Sequence, residues 1–120
     1  VTRAAPPLIT TLDSQSEPLR IKCAHALALI PTKDAQAAIA AAALNSDRGQ
    51  AERVAVFGSL AESARRNGNL LGDHELVGKL IDFTMKEENL ILRAAASKAL
   101  GALDLPSNKA SEIIRSQYRG

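Results

Sequence analysis

A short helical pattern opened by arginine occurs three times in this chain, and that recurrence constrains its fold more than any other feature. The copies are Arg20-x-x-Cys23-Ala24-x-x-Leu27, Arg53-x-x-Val56-Phe57-x-x-Leu60 and Arg93-x-x-Ala96-Ser97-x-x-Leu100, so the arginines stand 33 and then 40 residues apart. Self-similarity at a period of roughly 20 to 50 residues marks an array of stacked supersecondary units, each needing its neighbours to bury its apolar face. Such an architecture offers surfaces and no recognisable reaction centre.

What fills the interior follows from composition. Aromatic residues make up 2% of the 120 residues and Trp is absent, so the core must be aliphatic, drawn from Leu, Ile, Val and Ala. Ala and Leu are also strong helix formers, and an all-α domain is the consequence. Fifteen Lys and Arg against 13 Asp and Glu leave a formal charge of +2, too little to draw nucleic acid or an anionic membrane by bulk electrostatics. No run approaches the apolar length of a membrane span, and the start lacks the basic and apolar regions of a secretory signal. Cys23 is the single cysteine, which excludes an intrachain disulfide and fits a reducing, cytoplasmic setting. Val1 in place of Met points to a piece of a longer chain.

Periodicity and punctuation place the elements. Pro6 and Pro7 open a leading helix over 6–13 with Leu8, Ile9 and Leu12 on one face. Ser14 and Glu17 have capping-box spacing ahead of a helix over 17–30, with Leu19, Cys23, Ala26, Leu27 and Ile30 as its stripe and Pro31 as its stop. Asp34 is read as the cap of a helix reaching Leu44. Asp47 and Gln50 again have capping-box spacing, before a helix over 48–66 whose Gly58 suggests either close approach by a neighbour or simple tolerance. After the loop Asn67-Gly68-Asn69-Leu70-Leu71-Gly72, Asp73 caps a helix with Leu76, Val77, Leu80, Ile81 and Met85 inward. On that helix Glu75 with Lys79 and Asp82 with Lys86 have the favourable i, i+4 order on the outer face. A last unit runs over 88–103 and resumes at Ser107, with Ala110, Ile113 and Ile114 inward.

Residues 8–30, with Leu8, Ile9, Leu12, Asp13, Glu17, Pro18, Arg20, Ala24, Ala26, Leu27 and Ile30 in register, resemble the HEAT repeat, in the short form named after phycobilisome lyases. The segment Leu92-Arg93-Ala94-Ala95-Ala96-x-x-Ala99-Leu100-Gly101-x-Leu103 is similar to it as well, and Ala51 to Ala64 more loosely. The resemblance implies a right-handed α-solenoid of three helix pairs, over about 14–46, 47–86 and 87–119, whose second helices line a concave surface. It also implies an acid ahead of each repeated arginine: Asp13 suits Arg20, Asp47 lies one residue off register for Arg53, and Lys86 holds that place before Arg93. Repeats of this kind serve many unrelated roles, so the family does not fix an activity.

The candidate chemistry is sparse. Cys23 falls on an apolar stripe, as a structural thiol would, and Cys23 and His25 cannot converge from one helix on a metal. His74 is read as a solvated first-turn residue. The glycines of the 67–72 loop match no phosphate-binding motif, and no Ser, His and Asp set has a local signature. Arg65, Arg66 and Arg115 suit helix C-terminal ends without any ligand. Two surfaces are left as candidates for a protein partner. One is the second stripe of the alanine-rich helix, Ala37, Ala41 and Leu44; the other is the Leu70-Leu71 pair, which either docks a partner or folds back onto its own repeat. The expectation is a non-enzymatic protein-interaction module with no cofactor or metal. The alternatives are a module that grips nucleic-acid backbone and an accessory domain of an enzyme such as a lyase.

Overall fold

The computed structural model describes Leu12, residues 15–72 and residues 75–103. Five α-helices fill that span: α1 Glu17–Leu27, α2 Lys33–Leu44, α3 Gln50–Asn67, α4 Glu75–Lys86 and α5 Leu90–Leu103, with no strand among the described residues. The leading helix expected over 6–13 and the segment after Leu103 lie outside the described residues, as do Asp73 and His74.

The helix starts differ from the expected caps in a consistent way. Ser16, not Ser14, caps α1 and accepts from Leu19 N–H at 3.4 Å, with Pro18 in the first turn where its missing donor costs little. Thr32 caps α2 by accepting from Ala35 N–H at 3.2 Å, leaving Asp34 within the first turn, at the positive end of the helix dipole. At α3 the capping box of Asp47 and Gln50 does not form; Gly49 is the cap residue and makes no side-chain hydrogen bond. Asn89 caps α5, its Oδ1 accepting from Ile91 and Leu92 N–H at 3.0 and 3.1 Å. At α1 and α2 the cap is a hydroxyl residue with extended backbone directly before the helix. α1 also stops at Leu27 instead of 30, because residues 28–30 tighten into i to i+3 turns, with Leu29 N–H donating to Ala26 O and Ile30 N–H to Leu27 O, before Pro31.

Packing alternates along the chain. α1, α3 and α5 pack side by side, α2 packs against α4, and the two sets are joined by α1 with α2, α2 with α3, and α4 with α5. One aliphatic cluster runs through all of them, including Leu27, Ile39, Leu60, Leu80 and Leu103, each fully buried. The stripes hold with exceptions: Leu19 and Met85 are exposed, at 43% and 42%, and Thr84 is buried in place of Met85 with its hydroxyl donating to Leu80 O at 2.8 Å. Gly58 is exposed and a Cβ there would touch nothing within 4 Å, so the close approach does not occur and tolerance accounts for it.

The repeated arginines act as ties between elements. Each is the fourth residue of its helix, and its N–H closes the first turn on Ser16, Gly49 or Asn89 carbonyl. Arg53 Nε then donates to Ala43 O at 2.9 Å and Arg93 Nε to Glu87 O at 2.7 Å, so each guanidinium satisfies a carbonyl at the end of the preceding helix. Those carbonyls have no partner within their own helix, and a cation suits the negative end of its dipole. The acid expected before Arg53 is therefore not its partner: Asp47 is exposed, its N–H turned to Asn45 Oδ1, while Arg53 stacks over the Phe83 ring at 4.9 Å. Asp13 lies outside the described residues.

Candidate functional site

α2 and α4 lie beside each other, and the face they share is where the chain offers a concavity. α2 is nearly all alanine, so its outward side chains stop one carbon from the backbone and leave a trough that longer residues would fill. The groove has a volume of about 570 Å³. Ala38, Ala41, Ala42 and Leu44 of α2 form its floor, and Leu12, Val56 and Leu76 close its deeper part. Four charged side chains, Arg20, Arg48, Glu52 and Lys79, make its polar wall. A second hollow of about 380 Å³ adjoins it along α4, sharing Leu44 and Lys79 and adding Asp82, Phe83, Lys86 and Glu87.

The wall is organised by one ion pair between α1 and α3. Arg20 Nε and Nη2 donate to Glu52 Oε2 and Oε1 at 2.8 and 2.7 Å, a bidentate fork in which both residues are buried. Arg48 Nε approaches the same carboxylate at 3.9 Å. The hydrogen bond from Arg20 holds the Glu52 carboxyl below its ordinary value, burial opposing it, and the same bond raises Arg20. Glu52 is thus fixed as an anion and spoken for. At the outer end Lys86 pairs with Asp82 at 3.0 Å, as the i, i+4 spacing predicts, but the companion pair of Glu75 with Lys79 does not form. Lys79 is exposed and makes no ion pair among the described residues.

The candidate residues are placed unevenly. Ala41 is exposed on the groove floor and Leu44 borders both hollows, half-buried. Ala37 is off the groove, half-buried against the core. The face is rotated by one residue from the expected one, so that Ala38, Ala41, Ala42 and Asn45, at i, i+3, i+4 and i+7, share it. Ala42 lines the groove and, half-buried, also packs against the core. Leu70 is half-buried and Leu71 is 1% exposed, folded back on its own repeat, so Leu71 presents no surface to a partner. Sequence reasoning missed Arg20, Arg48, Glu52 and Lys79 as wall residues. One pair had a signal in the sequence: Arg20 and Glu52 stand 32 residues apart, one short of the spacing between Arg20 and Arg53.

Elsewhere the side chains are structural. Cys23 is buried in the core. Ser59 Oγ lies 2.8 Å from His25 Nδ1, a contact not expected from sequence, which ties α1 to α3. Ser59 is wholly buried and its hydroxyl also reaches Ala55 O at 3.4 Å, so no substrate can meet that oxygen. Among the described residues no three His, Cys, Asp or Glu side chains are placed to hold a metal ion, and no helix is long and apolar enough to cross a membrane. Compared with protein-family models, with curated proteins and with solved structures, the chain finds no match.

Proposed function

We propose that this chain is a HEAT-like α-solenoid module whose work is non-enzymatic: it holds a protein partner on the face made by α2 and α4. The alternation of contacts supports the solenoid, since α1, α3 and α5 behave as first helices in one layer and α2 and α4 as second helices in another. The observation that carries the docking role is the alanine-lined groove on the second-helix layer, with Ala41 exposed along it and Leu44 at its border with the second hollow. Apolar concavities with a few charged groups at the rim are how grooves seat partner helices. Among the described residues the wall's one carboxylate, Glu52, is committed to Arg20.

Ala41→Glu tests the reading. The site is exposed, so stability should change by no more than about 0.5 kcal/mol, while a carboxylate in the floor should abolish the specific captures that the unaltered protein makes from its source-cell extract. A stable variant that retains every capture removes the α2 and α4 face from consideration. Capture of duplex DNA or RNA that falls steeply with salt would favour the nucleic-acid alternative.

A further inference from the structure

The charges around the groove say more about its occupant than its apolar floor does. Among the described residues Arg20, Arg48 and Lys79 face it with one carboxylate, Glu52, and both oxygens of that carboxylate are taken by Arg20 at 2.7 and 2.8 Å. Arg48 touches Glu52 only at 3.9 Å, through one nitrogen, and Lys79 has no acidic partner among the described residues. In the adjoining hollow Lys86 pairs with Asp82 at 3.0 Å, while Glu87, whose Oε1 accepts the Asn89 N–H at 3.0 Å, keeps its negative charge. The groove proper is lined, among the described residues, by three cations and one carboxylate, with Lys79 unpaired and Arg48 only loosely held.

We propose that the groove takes an acidic amphipathic helix of another protein, its small apolar stripe on Ala38, Ala41, Ala42 and Leu44 and its carboxylates toward Arg48 and Lys79. This rests on the docking reading above and adds the chemistry of the partner. A helix fits because alanines let its backbone approach closely and because Ala38, Ala41 and Ala42, at i, i+3 and i+4 on α2, match the same spacing on a facing helix. Acidic flanks fit because Arg48 and Lys79, without a full partner among the described residues, gain from carboxylates brought up beside them. Nucleic acid fits poorly, since the floor is apolar and the one ring of the adjoining hollow, Phe83, is covered by Arg53 at 4.9 Å.

Two synthetic helical peptides with one leucine and alanine stripe, flanked in one by glutamate and in the other by lysine, test this against the full chain. The glutamate peptide should bind roughly three- to tenfold more tightly at low salt, a modest ratio because each partly exposed pair contributes little, and the ratio should shrink as salt rises. Amide shifts should centre on Ala41, Leu44 and Lys79, and Lys79→Glu together with Arg48→Glu should reverse the preference. Equal binding of both peptides, or a preference unmoved by the reversal, overturns the proposal. So does binding of the glutamate peptide only after residues 1–11 are removed, which would assign the groove to the chain's own start. If neither peptide binds, the acidic helix is excluded, while Ala41→Glu capture still decides separately whether the face docks anything.

Discussion

Glu52 shows how one residue can set both the joint between helices and the electrostatics of a surface. Its carboxylate accepts two charge-assisted bonds from Arg20 across α1 and α3, and its carboxyl is held below the ordinary value near 4.5. A group whose folded value is depressed contributes stability that is fully present above the unfolded value and is lost as pH falls through the folded one. Glu52→Gln keeps the shape and one hydrogen-bonding face but discards the charge. The variant should therefore be less stable than the unaltered protein near neutral pH, and the gap should close on acidification below about 4.5. Urea unfolding of both at pH values on either side of that point checks it, and a gap that stays constant would show that the charge contributes nothing. The sequence made the arginines legible but not their partners. Arg53 and Arg93 bond carbonyls, which every residue has, so no residue type in the sequence could mark them.

At the scale of elements, helix existence was readable from periodicity, and helix ends less so. The stripes at i, i+3 and i+4 follow from burial, which the packed core enforces; the caps depend on which small polar residue adopts extended backbone, and several compete within a few positions. The loop after α3 was the least legible. Its order comes from Gln36, a fully buried amide on α2 that reads in the sequence as one polar residue among alanines. Its Nε2 donates to Ser63 Oγ at 3.1 Å and Gly68 O at 3.0 Å, and its Oε1 accepts from Leu70 and Leu71 N–H at 2.9 and 3.2 Å. Gly68, at φ 78°, supplies the left-handed turn that brings the loop back. Gln36→Leu leaves the buried Ser63 hydroxyl, and the part-buried Gly68 carbonyl and Leu70 N–H, without that partner, and a buried group so stranded costs about 1 to 3 kcal/mol. The variant should lose about that much in thermal or denaturant unfolding. Leu70 and Leu71 amides should also exchange with solvent much faster while the centre of α3 stays protected; unchanged exchange in the loop would show that another contact holds it.

Whether the whole molecule unfolds as one body or as separable units is decided by α3. Repeat arrays are held by neighbour contacts, and short ones behave as a single unit when each interface is stronger than the units it joins. α3 packs against α1, α2 and α5 at once, Asn67 at its end donates to Ala28 O beyond α1 at 3.1 Å, and its Phe57 stacks against Phe83 of α4 at 5.6 Å. No pair of helices can leave without exposing part of that central helix. Leu27 of α1 and Leu100 of α5 occupy the same place in the repeated sequence pattern, in the first and last of the described helices, exposed by 0% and 6%. Either one changed to Ala should cost about 2 to 5 kcal/mol, the usual penalty for a buried leucine, with Leu100 nearer the lower end because its site is less enclosed. Because α3 links the ends, each variant should retain a single transition by circular dichroism, and hydrogen exchange should quicken in α1, α3 and α5 together. If Leu100→Ala instead loosened α4 and α5 while α1 and α2 kept their protection, the array would be separable and α3 would not be its keystone.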